Sequence, residues 1–111
     1  MDWRAPSTPV PDKAFDVDVP TPQSRILLLN RPNSPQSVIL GARALDLKGT
    51  DDTIVLAAAN EVLGGSFLSR INMNLRETKG WSYGSRSSII YNRDRLGYAI
   101  LAEVQADRTG D

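Results

Sequence analysis

Two adjacent glycines, Gly64 and Gly65, divide the most apolar stretch of the sequence into two helix-like segments. Apolar residues before them recur at the i, i+3, i+4 and i+7 positions of one helix face: Val55, Ala58, Ala59 and Val62. That spacing predicts an α-helix over residues 52–63. Gly64 is predicted to end it in a left-handed conformation, and the glycine pair to form a tight corner in which a Cβ would clash.

A second helix is predicted to follow the corner at once. Ser66 can cap its N-terminus, and Lys79-Gly80 would end it. Its apolar face is predicted to carry Leu68, Ile71 and Leu75. Gly64, Gly65 and Gly80 are therefore predicted to be structural turn residues.

Four segments have the composition of β-strands. They are RILLLN at residues 25–30, SVILGARALDL at 37–47, WSYGSRSSIIYN at 81–92 and LGYAILAEVQ at 96–105. The turn-forming residues of NRPNSPQS separate the first two, and RDRLG suits a hairpin loop between the last two. One face of the third strand is predicted to carry Trp81, Tyr83, Ser85, Ser87, Ile89 and Tyr91, and one face of the fourth Tyr98, Ile100, Ala102 and Val104.

The order strand-strand-helix-helix-strand-strand predicts an α+β fold, with an antiparallel sheet and helices packed on one of its faces. At 111 residues the chain fits one domain. Five of its seven prolines fall within residues 1–24, where they remove backbone donors and favour extended backbone. We expect residues 1–24 to form a proline-rich linker or strap, and residues 25–111 a single α+β domain.

Composition excludes several classes of function. Lys plus Arg and Asp plus Glu each number 13, so no net charge attracts nucleic acid or anionic membrane. We find no run approaching the roughly 20 apolar residues of a membrane span, and no secretion signal at the N-terminus. A cysteine-free chain suits reducing and oxidising compartments alike, so the sequence leaves open a cytoplasmic or a periplasmic location in a bacterium.

The chain has neither histidine nor cysteine, so it cannot form a usual zinc site, a Ser-His-Asp triad or a Cys-His pair. The glycines before Ser66 suggest an anion site at a helix start, but no phosphate-binding motif accompanies them. Arg76 and Tyr83 remain as polar candidates, because the turn at Gly80 could bring a guanidinium and a phenol to one rim. A surface ion pair and a core aromatic are the alternative interpretations of these two residues.

The stretch NEVLGGSFLSRINMNLRETKGWSYGSRSS, residues 60–88, resembles the signature of the M16 family of zinc peptidases, which includes pitrilysin and the mitochondrial processing peptidase. The resemblance rests on NEVLGG, on Ser69-Arg70, on LRE at residues 75–77 and on KGWSY at 79–83. Upstream, RPNSPQSVILG with Gln36 and DWRAPSTPVP are also similar to family segments. The resemblance covers nearly the whole chain.

The resemblance implies two homologous α+β halves that close around an unfolded peptide. One half carries an inverted HxxEH zinc motif. The other has lost this motif and supplies an Arg and a Tyr that bind the substrate backbone, which correspond here to Arg76 and Tyr83. On this basis the chain would be a truncated, non-catalytic, C-terminal-type half of a parent zinc metalloendopeptidase.

Its expected partners are a catalytic M16 half, in the same chain or in a partner subunit, and an unfolded peptide. Zinc would belong to that catalytic half, and this chain alone would bind no catalytic metal and cleave nothing. Two alternatives stay open: a non-proteolytic structural core subunit of the same fold, and an unrelated α+β binding module. A matching segment also occurs in catalytic halves, so the Arg/Tyr pair alone does not distinguish them.

Overall fold

The computed structural model describes residues 3–14, 18, 20 and 23–111. It contains a three-stranded antiparallel sheet with the order β1-β3-β2. The strands are β1 (Gln36–Ala44), β2 (Ser82–Ile90) and β3 (Gly97–Gln105). Helix α1 comprises α-helical Ile54–Asn60 and its π-helical continuation Glu61–Gly65, and helix α2 comprises Arg70–Asn72 and its continuation Met73–Thr78.

The chain thus has the α+β architecture that the sequence predicts. The last two predicted strands form the β2–β3 hairpin, and β1 joins β3 from the other side. Both helices contact β2, so they cover one face of the sheet at that edge. A short 3-10 turn, Ala106–Arg108, follows β3.

The prediction of a first strand over residues 25–30 is wrong. The structure places these residues in irregular backbone, and Ile26 and its three following leucines are all exposed. In the described structure the strand pairings are β1 with β3 and β2 with β3, so residues 25–30 have no hydrogen-bonded partner strand and their apolar side chains gain no burial. The turn before β1 does form, with Asn33 in the left-handed region at φ 63°.

The predicted apolar face of α1 points away from the sheet. Val55 and Val62 are exposed, while Leu56, Ala57 and Asn60 are half-buried and Gly64 is buried. The prediction fails because α1 is apolar around most of its circumference, so periodicity does not select one face. The helix instead turns toward β2 the side that carries Asn60 and Gly64, because small and polar residues allow close approach to the strand.

Gly64 is the point of closest approach between α1 and the sheet. A methyl group added there would lie 2.6 Å from the backbone nitrogen of Ser87 and overlap its side chain. Gly64 therefore serves the tight packing that the sequence predicts, but within the helix, not as a left-handed C-terminal residue. The left-handed glycine is Gly80, at φ 66°, immediately after α2.

The second helix begins later than predicted. Ser69, and not Ser66, occupies the N-cap position, and the carbonyl of Ser69 accepts the N–H of Met73 at 2.9 Å. Leu68 lies before the helix and is exposed, whereas Ile71 and Leu75 are half-buried. The corner between the two helices therefore includes both Phe67 and Leu68.

By length and composition alone, one segment of the described residues, Ile54–Thr78, could cross a membrane. The sequence-based expectation that no run approaches this length is therefore wrong. Such a segment is weak evidence for a span, because helices of water-soluble domains pass the same test. Here the backbone is extended at Ser66, with ψ 165°, and at Ser69, with ψ 156°, which divides the segment into α1 and α2.

The predicted face of β3 is confirmed: Ala102 and Val104 are buried, and Tyr98 and Ile100 are half-buried. On β2 the prediction holds for Ser85 and Ser87, which are buried, and fails for Tyr83, which is 83% exposed. The cause is a β-bulge. Ser82 pairs with Val104 and Ser85 with Ala102, so the bulge lies between Ser82 and Ser85 and turns Tyr83 off the helix-covered face.

We predict that Gly64→Ala destabilises the fold and that Gly41→Ala does not. Gly64→Ala should lower the free energy of unfolding by about 1–3 kcal/mol, because the collision with a strand backbone outweighs the roughly 1 kcal/mol that alanine gains in a helix. Gly41→Ala in β1 is the matched control, since the added methyl meets no described atom within 4 Å. Denaturant unfolding of both variants tests this, and an unchanged or higher stability of Gly64→Ala would contradict it.

Candidate functional site

Arg76 and Tyr83 lie together, although they belong to different elements. Arg76 is in the last turn of α2 and Tyr83 is the second residue of β2. The Arg76 guanidinium carbon is 5.0 Å from the centre of the Tyr83 ring and lies over its face. The two side chains therefore form one polar rim at the end of α2.

The ending of α2 produces this proximity. The N–H of Gly80 donates to the carbonyl of Arg76 at 3.1 Å, and the N–H of Trp81 donates to the carbonyl of Leu75 at 2.9 Å. The left-handed backbone of Gly80 then reverses the chain into β2. The reversal is short, so residues shortly before and after it are neighbours in space.

A third side chain, Phe67, completes the cluster. Its ring centre lies 4.7 Å from the guanidinium carbon of Arg76, which is closer than that of Tyr83. A guanidinium over an aromatic face is attracted by the negative charge density of that face. We call Phe67, Arg76 and Tyr83 the arginine cluster.

The ion pair at the arginine cluster is local. Arg76 Nε lies 3.3 Å from Oε1 of Glu77, its neighbour along the chain. Both side chains are partly exposed, at 31% and 48%, so water screens the attraction and its contribution to stability is small. Nε is the guanidinium nitrogen that makes this contact.

A buried amide, Asn72, connects the segment that carries Phe67 to the segment that carries Tyr83. Its Nδ2 donates to the carbonyl of Phe67 at 2.7 Å, and its Oδ1 accepts the backbone N–H of Ser85 at 3.1 Å. One side chain thereby ties the helical corner to the bulge that carries Tyr83. Within the bulge, the Ser82 hydroxyl donates to the carbonyl of Gly84 at 2.9 Å and accepts the Ser85 hydroxyl at 3.1 Å.

Sequence reasoning missed Phe67 and Asn72 as members of this site. Phe67 is nine positions before Arg76, and only the backbone of the corner brings the two side chains together. Asn72 had a weak signal, because it is a polar residue of low helix propensity inside an apolar helix pattern. Such a residue in a helix interior indicates a hydrogen-bonding role toward another element.

The predicted turn glycines surround the site without entering it. Gly80 forms the reversal after α2, and Gly64 packs against Ser87. A methyl group at Gly65 would lie 2.8 Å from the side chains of Asn60 and Glu61. These glycines shape the backbone that carries the arginine cluster.

No metal centre accompanies the cluster within the described part of the chain, where no group of three His, Cys, Asp or Glu side chains could hold an ion. The residues present do not fit zinc, whose usual ligands are cysteine and histidine with an occasional carboxylate. The arrangement can instead donate hydrogen bonds. Arginine has five N–H donors and tyrosine an O–H, both suited to carbonyl oxygens.

The peptidase M16 inactive domain is the family whose model matches residues 2–110. The chain belongs to this family. The match includes the proline-rich N-terminal part as well as the α+β part. A comparison with curated proteins gives no match.

Membership agrees with the non-catalytic half that the sequence motifs indicate. It also sets aside the alternative of an unrelated α+β binding module. The α+β sheet and its helices therefore belong to an M16 domain of the inactive type.

We predict that Asn72 controls the stability of the corner and the bulge together. Asn72→Leu should lower the free energy of unfolding by about 2–4 kcal/mol, because it leaves the Phe67 carbonyl and the Ser85 N–H without this partner. Asn72→Asp should also lower the free energy of unfolding. It keeps an acceptor for Ser85 but loses the donor to Phe67, and it places a charge at a position that is only 4% exposed.

Denaturant unfolding of Asn72→Leu and Asn72→Asp measures the decrease in the free energy of unfolding. Asn74→Leu, at an exposed position of the same helix, is the control and should change stability by less than about 0.5 kcal/mol. Equal effects at positions 72 and 74 would contradict the assignment.

Proposed function

We propose that this chain belongs to the substrate-binding, non-catalytic half of an M16 zinc peptidase. It would hold an extended peptide through Arg76 and Tyr83 while a zinc-bearing HxxEH half cleaves it. The supporting observation is the meeting of Arg76 and Tyr83 on one rim, 5.0 Å apart, in a domain of the inactive M16 type. Both residues also lie in motifs, LRE at residues 75–77 and KGWSY at 79–83, that resemble those of the family.

The chemistry of the rim suits a peptide backbone. An extended peptide presents carbonyl oxygens at regular intervals whatever its side chains. A guanidinium makes charge-assisted hydrogen bonds to such oxygens, and a phenol adds one more donor. Tyr83 is largely exposed and Arg76 partly so, which leaves donors within reach of a ligand.

Donors placed next to the cleaved bond can act in two ways. They orient the bond relative to the catalytic group, and they stabilise negative charge that develops on the carbonyl oxygen. Neither action needs a metal ligand or a nucleophile from this chain. The zinc, supplied by the partner half, would provide the hydrolytic step.

Pairing with a catalytic half also fits the exposed apolar surface. Ile54, Val55 and Val62 on α1 and Val38 and Leu40 on β1 are exposed in the described structure. Exposed apolar side chains on two elements are typical of faces that other protein elements cover. A structural core subunit of the same fold would share this property, so activity is needed to separate the two functions.

We predict that Arg76→Ala in the assembled two-half peptidase lowers kcat/KM on an unstructured peptide by roughly tenfold to a thousandfold. This equals about 1.4–4 kcal/mol of transition-state stabilisation. Arg76→Lys should recover only part of the loss, because an ammonium lacks the planar fork of donors. Tyr83→Phe, which removes only the hydroxyl, should lower kcat/KM by a smaller factor.

Arg86→Ala is the matched control for loss of an arginine. Arg86 is exposed on β2, where it pairs with Leu101, and belongs to no part of the arginine cluster. If Arg76→Ala keeps its fold and its kcat/KM is unchanged, Arg76 is a surface charge and not a substrate-binding residue. An assembled wild-type protein that cleaves no peptide would favour the structural subunit.

A further inference from the structure

We propose that Phe67 is a positioning residue of the peptide-binding site, which acts by holding the guanidinium of Arg76 against its ring. The inference rests on the proposed function. It adds to the Arg76 and Tyr83 pair a residue that needs no direct contact with the substrate. The site would therefore consist of two donors and one aromatic support.

The geometry distinguishes Phe67 from an incidental exposed aromatic. Its ring centre is the nearer of the two aromatic centres to the Arg76 guanidinium carbon, at 4.7 Å against 5.0 Å for Tyr83. Its side chain is 59% exposed, so burial of the ring does not account for its position. The contact with Arg76 is what gives this exposed ring a defined partner.

The backbone under the ring is fixed from two sides. The Phe67 carbonyl accepts the Asn72 amide at 2.7 Å, and the same amide accepts Ser85 N–H from the sheet. The same side chain therefore links the corner to the bulge next to Tyr83. Phe67 faces Arg76 from backbone that hydrogen bonds tie to both helix and strand.

A held guanidinium is a better donor to a substrate than a free one. An unconstrained arginine side chain samples many rotamers and loses that freedom when it binds. The Phe67 face and Glu77 Oε1 restrict Arg76 before the peptide arrives, so less freedom is lost on binding. The ring leaves the N–H groups available, because it attracts the guanidinium through the π face and not through a hydrogen-bond acceptor.

The test is a series of fluorinated phenylalanines at position 67 in the assembled peptidase. Each fluorine weakens the negative charge of the ring face while its shape stays nearly constant. We expect kcat/KM on an unstructured peptide to fall stepwise with fluorine number, by about two- to fivefold in total at three fluorines. Phe67→Tyr, which keeps the π face, should retain activity, and Phe67→Leu should resemble the trifluorinated ring.

The same series in an Arg76→Ala background shows whether the ring acts through Arg76. We expect no dependence on fluorine number there, because the cation is gone, which a general structural role of Phe67 would not produce. Leu68→Ala, at the next exposed position of the corner, is the control for loss of apolar surface and should change kcat/KM by less than about twofold.

The outcomes separate the two proposals. If the wild-type assembly is active and kcat/KM does not depend on fluorine number, the role of Phe67 is wrong and the proposed function is unaffected. A slope that persists in the Arg76→Ala background also overturns the role of Phe67, because the ring would then act on something other than Arg76. Absence of peptide cleavage by the wild-type assembly overturns the proposed function and, with it, this inference.

Discussion

The helices are held to the sheet by a buried and a half-buried amide side chain, those of Asn72 and Asn60, which bond to a strand of small residues. Ser82, Ser85 and Ser87 are the buried residues that β2 turns toward the helices. Asn72 accepts the backbone N–H of Ser85, and Asn60 Oδ1 accepts the Ser87 hydroxyl at 2.7 Å. Because the serines are small, Gly64 can approach the strand, and because they are polar, their hydroxyls need partners at that distance.

This interface explains the position of the arginine cluster. A large apolar side chain on β2 would hold the helices further away and separate α2 from the bulge. Close packing instead places the last turn of α2 beside the start of β2, where Arg76 and Tyr83 meet. The polar bonds also have a defined geometry, so they set the relative position of helix and strand more strictly than apolar contact does.

Much of the architecture could be predicted from residue patterns, and the failures have specific physical causes. Three strands, two consecutive helices and the turn at Gly80 follow from alternation, helical spacing and glycine placement. The inward face of α1 could not be predicted, because apolar residues nearly surround that helix and the packing face is set by Gly64 and Asn60. Residues 25–30 have strand composition, but composition does not supply a partner strand, and none pairs with them in the described structure.

The site was predictable in part. The turn at Gly80 indicated that Arg76 and Tyr83 could come to one rim, and the structure places them there. The orientation of Tyr83 depends on a bulge, which no periodic pattern shows, and the contact of Phe67 depends on the path of the corner. Both are properties of irregular backbone, where sequence spacing no longer reports distance.

The bulge frees position 83 from the cross-strand pairing that constrains most of β2. Within the described pairing of β2 with β3, the register passes from Ser82 to Ser85, so Tyr83 faces no partner residue across the strands. Its side chain fills no space in the core either. Substitution there should leave the pairing of the sheet and the packing of the helices intact. Under the proposed function, the contacts that this position makes with a peptide can therefore vary almost independently of folding.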